Sequence, residues 1–550
     1  MTVYLLPLRL HPQLLHPERP FRTYEYFHQA ALRYADALPV DEYCGMYLAT
    51  VAEDTARLTR LFPPGASLSF LDEMRAMLQH VMLGPLLTLY TQRETGGTRA
   101  LLEDQRYDAL AIVYTCFAQS DSSLAALASH FQDYVVRCFK DFLFDKELNE
   151  AAPMVLIERV VAVRAMCVSL TRACNDNAVI EVAVYKAMST QLNLNDRFPE
   201  YLSLYVDRAL RAMAPGKENA FESLCSDVIY LYRMLSERDV FDTYASMHIA
   251  RRLLSARNPD AEPSERYFIN LLKVTSRSTA NCYKMEKMVI EMAGGEEVMD
   301  AYKESLRPEG MIDLHVTVLT TGVWPILSRS PSLHLPNFVA DGQRHFASFY
   351  KKRFHGRLLT YNYWLGSCDV RMYDATRKYE LNVMTTQMAL LMLFNDAESL
   401  SVDELALKSG MTAKDVKASL APLIKNQPTH SKLMCLESGT EVLSLNPNFK
   451  SKHVKIRIAN VVMRESDEQN KMTREKLGEE RKWVLDATIV RLMKSRRQME
   501  HRDILIEVTT MLRTTFTPSP DDMKKRIESL IERGYLERDE EVASRYIYKA

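Results

Sequence analysis

Cysteine is the first residue type to consider for chemistry, because a thiolate can act as a nucleophile or as a metal ligand. The chain of 550 residues holds nine cysteines, scattered singly, with no CxxC pair and no Cys/His cluster at ligand spacing. This dispersed set predicts reduced, buried thiols and argues against a structural zinc site. The motifs of nucleotide-binding loops, zinc proteases and serine hydrolases are also missing. The sequence therefore predicts no catalytic residue, no cofactor and no metal.

A lysine near the C-terminus is the other candidate, Lys494 in the helical run IVRLMKSRR. At about 100° per residue, Leu485, Ile489 and Leu492 cluster on one side of this helix, and Lys494 projects nearly opposite them. The apolar residues on the lysine's own stripe are Trp483, Ala487 and Val490. The pattern predicts an amine beside an exposed apolar surface, which could serve as a docking face. A lysine opposite the core is most often only solvated, and the pattern alone leaves that interpretation ahead.

The elements around this lysine have the pattern of a winged helix, three helices followed by a short hairpin. Ser519 is a predicted N-cap with Pro520 at the first helical position, and Gly534 is predicted to close that helix. An earlier stretch repeats the pattern, with Ser401 and Thr412 as predicted N-caps and two short strands after the helices. Two winged helices are therefore expected.

The chain ahead of them is helical almost throughout, and its short polar links favour antiparallel stacking of neighbouring helices. At Asp313 the apolar period changes to two, with Leu314, Val316 and Val318 alternating along a predicted strand. One amphipathic helix and three strand-like runs follow (GRLLTYNYWLG, CDVRMYD and KYELNVMT), and they predict a small antiparallel meander.

The predicted fold class is thus mainly α: stacked helical repeats, then a four-helix bundle, a small α/β piece and two winged-helix domains. The predicted regions are 1–194 (helical repeats), 195–305 (four-helix bundle), 306–378 (α/β piece), 379–460 (first winged helix), 461–480 (charged linker) and 481–550 (C-terminal winged helix).

The charge balance limits the possible partners. The formal net charge is −1, so no global field attracts nucleic acid or a membrane surface, and no apolar run is long enough to span a bilayer. Winged helices often bind DNA with their last helix, but here that helix mixes Lys524, Lys525 and Arg526 with Asp521 and Asp522. Acidic residues at the start of the helix oppose phosphates. A non-catalytic subunit of a large assembly and, less favoured, a DNA-binding regulator both stay open at this point.

Several motifs in register resemble those of the cullins, the scaffolds of multi-subunit RING ubiquitin ligases. IVRLMKSRR, DILIEV, KKRIESLIERGYLERD and the terminal YIYKA are similar to the C-terminal end of that family. ERDVFDTYASMHIARRLL, VLTTGVWPI and FYKKRFHGRLLTY resemble further family motifs in the same order. The resemblance runs from about Thr23 to Ala550, and the family's architecture agrees with the fold predicted from the residues.

The resemblance implies a non-catalytic scaffold and assigns roles to particular residues. Lys494 matches the lysine that receives a ubiquitin-like modifier (neddylation). A RING-box protein is expected to add a strand to the α/β piece and to recruit a ubiquitin-conjugating enzyme. The residues expected to contact the RING-box protein are Leu314, Val316, Val318, Val323, Trp324 and Pro325. Arg251 and Arg252 match part of a basic groove that attracts the acidic tail of a conjugating enzyme.

The chain also departs from the family pattern. It begins about one helical repeat late, so the family's adaptor-binding helices are expected to be missing, whether naturally or by truncation, and the substrate adaptor stays open. A stretch of the bundle reads SRSTANCYKMEKM in place of the family's usual residues. The resemblance further implies a location in the cytoplasm and nucleus, and it implies neither a membrane nor a nucleic-acid partner.

Overall fold

A computed structural model describes most of the chain. The described residues are 28–29, 31–34, 37–61, 97–119, 121–212, 218–255, 262–276, 279–305, 312–325, 332–373, 377–425, 431–436, 442–458, 467–539, 542 and 544–549. The expectation about the late N-terminal start concerns residues outside these ranges. The chain divides into two compact units, residues 1–244 with 513–517 and residues 245–512 with 518–550.

The first unit is built from helices, as the apolar spacing predicts. Its helices are α1 (Val40–Leu61), α2 (Thr98–Glu103), α3 (Tyr107–Phe117), α4 (Asp121–Lys140), α5 (Lys146–Ala151), α6 (Pro153–Ala173), α7 (Ala178–Leu192), α8 (Phe198–Arg211), α9 (Glu218–Met234) and the start of α10 (Arg238–Ser255). Helix α4 packs against α7, and α3 packs against both α1 and α6. Large side chains such as Phe131, Phe139 and Phe198 are fully buried between helices. Burial of each such side chain contributes roughly 1.5–3 kcal/mol to folding.

Residues 195–305 hold five described helices rather than the predicted four. Two further helices complete the region, α11 (Glu262–Thr275) and α12 (Thr279–Glu304), which pack against each other. Helix α8 packs on α6 of the stacked helices and on α9. Helical periodicity shows which face of α8 is buried but not which helix covers it, so the sequence could not identify its neighbours.

The sheet of the α/β region differs from the predicted meander. Helix α13 (Asn337–Arg353) is followed by strands β1 (Ser367–Tyr373) and β2 (Lys378–Met384), which pair antiparallel. The third strand is β6 (Lys455–Arg457), which lies parallel to β2. The predicted first strand, in GRLLTYNYWLG, belongs to no sheet in the described part of the chain. The predicted boundary after residue 378 falls inside the β1–β2 hairpin, so the α/β region and the first winged helix share one sheet.

The two winged helices have the same topology. The first comprises α14 (Thr385–Met392), β3 (Ser399–Ser401), α15 (Val402–Ser409), α16 (Ala413–Ile424), β4 (Met434–Leu436) and β5 (Val442–Leu445). The second comprises α17 (Asp467–Arg496), β7 (Gln498–Glu500), α18 (His501–Leu512), α19 (Pro520–Glu532), β8 (Leu536–Arg538) and β9 (Arg545–Tyr548). The strand orders are β3-β5-β4 and β7-β9-β8, all antiparallel.

The capping predictions for both winged helices are confirmed. The side chains of Ser401, Thr412 and Ser519 each accept a hydrogen bond from the backbone amide three residues on. Gly534 follows α19 with a φ of 76°, a left-handed conformation that glycine adopts at little cost. These caps fix where each helix starts and stops, and so they fix the short connections that shape each wing.

The predicted charged linker of residues 461–480 is wrong over most of its length, because α17 begins at Asp467. Its Lys, Glu, Arg and Gln residues are good helix formers, so the helix extends through the charged stretch. In the described part of the charged stretch the side chains of Thr473 and Leu477 are buried. The Thr473 hydroxyl contacts the sulfur of Met247 at 3.8 Å. The stretch predicted as a charged linker is thus, from Asp467 onward, a helix with a narrow buried face.

Candidate functional site

Lys494 lies in the last turn of α17, and the structure confirms the face predicted from the helical wheel. Leu485, Ile489 and Leu492 are buried, whereas Lys494 is exposed. On the lysine's stripe Trp483 is 76% exposed, so an apolar surface does lie beside the amine. The helix thus presents Lys494 to solvent on a rigid element whose opposite face is held by the core.

Helix α17 ends two residues after the lysine. The backbone of Arg497 is left-handed, with φ 68°, and its amide donates to the carbonyl of Met493 at 2.8 Å. The Arg497 carbonyl in turn accepts from the amide of Tyr548 at 2.8 Å, which ties the helix end to the last strand. A left-handed non-glycine residue costs roughly 1–2 kcal/mol. The surrounding wing holds this conformation and places Lys494 at a defined helix end.

An ion-pair clamp fixes α17 against the last helix. Asp486 accepts from Arg526 Nε at 2.7 Å, from Arg526 Nη2, and from Arg533 Nη2 at 2.5 Å. Partial burial alone would raise the pKa of Asp486, but the hydrogen bonds from Arg526 and Arg533 outweigh it and hold that pKa below its ordinary value. Asp486 faces α19, two turns before Lys494, so the clamp orients the helix that carries the lysine.

The surroundings of Lys494 suit an acceptor more than a catalyst. Among the described residues Lys494 forms no ion pair with a carboxylate, and the exposed side chains near it in the chain include Arg491 and Arg496. An exposed primary amine can attack a thioester that another protein brings to it. No base of this chain is needed for that reaction, since the enzyme that carries the thioester can supply it.

A second candidate surface is the segment of residues 313–319, named here the extended edge. Leu314, Val316 and Val318 are half-buried while the intervening side chains are exposed, except Leu319 at the end, and this alternation is typical of an extended backbone. The half-buried residues pack on an aromatic cluster of α12 and α13 whose members are Met299, Tyr302, Phe346 and Tyr350. In the described part of the chain no strand pairs with the extended edge. The predicted alternation is confirmed, but the edge has no neighbouring strand.

Residues 357–362, after α13, also lie outside any sheet of the described residues. Leu359 packs on the same aromatic cluster, whereas Leu358 is 91% exposed. Two segments therefore border one apolar cluster, and neither belongs to a sheet within the described residues. Such unpaired backbone is what strand addition by another chain requires.

The three remaining predicted contact residues are placed differently. Val323 and Pro325 are half-buried, but Trp324 is only 5% exposed. Its indole Nε1 donates to Glu291 Oε2 at 2.8 Å. Trp324 thus anchors the turn from inside, and a direct contact with a partner is not favoured at this position.

The structure also disfavours Arg252 as a residue of a basic groove. Its side chain is 7% exposed, and its guanidinium donates twice to Glu265, at 2.5 and 2.9 Å. An acidic tail would have to break this buried ion pair, and separating such partners costs several kcal/mol. Arg251 is half-buried and also has interactions of its own.

Sequence reasoning missed Glu291 and the Asp486 clamp. Each acid lies on a helix rich in charged residues, where a carboxylate usually faces solvent, so no local signal distinguished these two acids from the others.

Within the described residues no helix is both long and apolar enough to cross a membrane. The described His, Cys, Asp and Glu side chains form no group of three or more that could hold a metal ion.

Comparison with known proteins places these sites in a family context. Residues 13–299 match a model described as the cullin alpha solenoid domain, 318–452 match the cullin alpha+beta domain, and 480–542 match the cullin protein neddylation domain. Lys494 lies within the third match, and the end of the extended edge begins the second.

Individual relatives agree. Cullin-3 of Dictyostelium discoideum is 29% identical over 500 residues, covering 83% of this chain and 64% of that protein. Cullin-3A of Arabidopsis thaliana is 32% identical over 494 residues, covering 87% of this chain and 66% of that protein. Cullin-3B of the same plant is 29% identical over 556 residues, with coverage of 97% and 73%. The chain thus spans about two thirds of the length of these relatives. With the solenoid match alone extending over more than half of its residues, this chain belongs to the cullin family.

Proposed function

We propose that this chain is the scaffold of a RING ubiquitin ligase complex, binds a RING-box protein through its C-terminal region, and is activated by neddylation of Lys494. The observation that carries the proposal is the position of Lys494. It is exposed in the last turn of α17, beside an apolar stripe and within the match to the neddylation domain. The scaffold itself is non-catalytic, and for ubiquitin transfer to substrates the ubiquitin-conjugating enzyme supplies the reactive thioester.

The modification is an acyl transfer to the lysine amine. Lys494 first loses a proton, and its neutral nitrogen attacks the carbonyl carbon of a thioester between the modifier's C-terminus and an enzyme cysteine. The carbon–sulfur bond breaks, the cysteine leaves as a thiolate, and the nitrogen releases its second proton to water as the isopeptide bond forms. The apolar stripe of Trp483, Ala487 and Val490 gives the incoming proteins a surface next to the amine.

RING-box binding is proposed to occur by strand addition at the extended edge. The amide of Val316 points toward Met299 Sδ at 3.2 Å, and that of Thr320 toward Glu291 at 3.1 Å, so both face α12. Successive backbone amides of an extended chain point in opposite directions. Those of His315, Thr317 and Leu319 therefore face away from α12, where a partner strand can pair with them.

The bound RING-box protein would recruit the ubiquitin-conjugating enzyme and promote ubiquitin transfer to substrates. Modification at Lys494 would act on this arrangement as a local switch with a wider effect on the complex. The adaptor that delivers substrates stays open in this proposal, and cytoplasm and nucleus are its proposed location.

The test is expression of the tagged chain in cells that contain the modification machinery, followed by immunoblotting. The wild-type chain should show a slower band, larger by the mass of one modifier, and Lys494→Arg should lose it. Lys482→Arg, an exposed lysine on the same helix, is the matched control and should keep the band. A slower band that persists in Lys494→Arg would refute the assignment of the site.

A further inference from the structure

Glu291 of α12 makes an unusual set of contacts with the end of the extended edge. A single carboxylate oxygen, Oε2, accepts from the indole of Trp324 at 2.8 Å and from the backbone amide of Thr320 at 3.1 Å. These donors lie on opposite sides of a tight turn, in which the amide of Val323 donates to the carbonyl of Thr320 at 3.2 Å and Gly322 is left-handed. One side chain therefore closes the turn from both sides.

The surroundings make these hydrogen bonds hard to replace by water. Trp324 is buried, and Glu291 is half-buried with Lys287 Nζ at 3.9 Å from its other oxygen. Hydrogen bonds to an ionised carboxylate are roughly twice as strong as neutral ones. Loss of the carboxylate would leave a buried indole N–H without its acceptor, which is the costly way to lose a hydrogen bond.

The contact of Glu291 is one of two that align the extended edge with α12. At the other, Met299 Sδ receives the amide of Val316 at 3.2 Å. The two contacts are eight residues apart on the helix, about 12 Å at 1.5 Å per residue. They are four residues apart on the edge, about 13 Å at 3.3 Å per residue. Because the later edge residue contacts the earlier helix residue, the edge runs antiparallel to the helix. The matching lengths indicate that the edge is extended between these two contacts.

We propose that Glu291 is a positioning residue for the RING-box protein: it sets the register in which the extended edge offers its outward amides. This inference rests on the proposed function, since it assumes that the partner strand pairs with this edge. A shift of one residue would turn the amides of His315 and Thr317 toward α12 and present those of Val316 and Val318 instead. The helix-facing contact at Glu291 prevents that shift at the end nearest the turn.

The experiment measures binding of a recombinant RING-box protein to the full chain by isothermal titration, together with backbone hydrogen exchange. Glu291→Ala removes the acceptor, and Glu291→Gln keeps a side-chain oxygen in the same place. Trp324→Phe keeps the ring and removes only the indole N–H. Glu297→Ala is the matched control, because Glu297 is an exposed acid on the same helix without a hydrogen bond or ion pair among the described residues.

The expected result is a loss of affinity of at least ten-fold in Glu291→Ala and a loss within about three-fold in Glu291→Gln, with no change in Glu297→Ala. Exchange should accelerate in Glu291→Ala across residues 314–320 and stay unchanged in α12. Trp324→Phe should weaken binding less than Glu291→Ala, and combining it with Glu291→Ala should add little, since both remove the same hydrogen bond.

Two results would overturn the inference: wild-type affinity in Glu291→Ala, or faster exchange that spreads through α12, because general loosening would then explain the loss. Thr317→Pro separates this failure from that of the proposed function, since it removes an outward amide and leaves Glu291 in place. If the wild-type chain does not bind the RING-box protein, or Thr317→Pro binds as well as wild type, strand addition at this edge is refuted. If Thr317→Pro fails to bind while Glu291→Ala binds normally, only the role of Glu291 is refuted.

Discussion

The two winged helices share one topology but bury their first helices to different degrees. In the first, α14 has eight residues, and all of Thr385 to Leu390 are buried. Even its polar Gln387 is fully enclosed, with its amide donating to the carbonyl of Ser419 at 3.1 Å and its oxygen accepting from the amide of Met384 at 3.0 Å. In the second, α17 has thirty residues and buries one face only.

The two first helices differ in burial because the two domains are covered by different numbers of layers. The first winged helix shares a single apolar cluster with the β1–β2–β6 sheet and with Val339 of α13, so α14 is enclosed on all sides. The C-terminal domain leaves several large apolar side chains exposed, among them Ile506, Met511 and Tyr535. The same topology therefore gives a core in one case and a presenting surface in the other. Lys494 lies on the exposed face of the second.

The largest expected change in the free energy of unfolding is at equivalent core positions of the two winged helices. Leu405 and Ile504 are each the fourth residue of the helix after the first strand, and both are fully buried. We expect Leu405→Ala to lower the free energy of unfolding by roughly 4–5 kcal/mol and Ile504→Ala by roughly 2–3 kcal/mol, within the range for large-to-small core changes. The shared core around Leu405 can relax less than the small domain around Ile504.

Urea denaturation of each variant measures these losses. Leu407→Ala is the control, since Leu407 lies on the same helix as Leu405 but is 82% exposed, and its change should stay within about 0.5 kcal/mol. Equal losses in Leu405→Ala and Ile504→Ala would contradict the difference in enclosure.

The next effect concerns the clamp of α17 to α19, for which the described part of the first winged helix shows no equivalent ion pair. Asp486→Ala should lower the free energy of unfolding by roughly 1–3 kcal/mol, because Arg526 is left half-buried without its partner. Arg533 is more exposed, so the loss of its ion pair adds little to this change. Asp503→Ala, an exposed acid in the same domain, should change it by less than about 0.5 kcal/mol.

The same clamp predicts a pH dependence. The pKa of Asp486 is lower in the folded than in the unfolded chain, so its stabilisation is present above the unfolded pKa and is lost as pH falls through the folded one. Asp486→Asn should remove this part of the acid sensitivity. Urea midpoints between pH 7 and pH 3 measure it, and an identical pH profile in wild type and Asp486→Asn would contradict the assignment.

The N-caps provide a comparison in which the two domains should agree. Ser401 caps α15 and Ser519 caps α19, with the amide of the third following residue at 3.2 and 3.0 Å. Each Ser→Ala change should cost about 1 kcal/mol, because each leaves one amide without its acceptor. Thermal denaturation checks both. A cost at one cap several times that at the other would mean that capping depends on the layers around the domain.

The features that the sequence predicted correctly depend on contacts between residues close in the chain, and those it missed depend on distant ones. The caps, the wings and the faces of α17 follow from residues within a few positions of each other, so patterns at fixed spacing reveal them. Arg252 was assigned to a groove by its match to the family, and the sequence did not reveal its ion pair with Glu265 because that partner lies on the next helix. Glu291 was overlooked because Trp324, which it holds, comes 33 residues later. The extended edge was predicted as a strand, and its lack of a neighbouring strand within the described residues could not be foreseen, since alternation shows only which face is buried.

The smallest expected change in the free energy of unfolding comes from substitutions on the exposed stripe of α17. Trp483→Ala and Lys494→Arg should each change the free energy of unfolding by less than about 0.5 kcal/mol, because both side chains lie in solvent and touch none of the core that holds the helix. Met388→Ala in the enclosed α14 should cost roughly 2–5 kcal/mol by contrast. Urea denaturation measures all three. A large loss in Lys494→Arg would mean that the lysine supports the fold, and a missing modifier band in that variant would then no longer identify an acceptor.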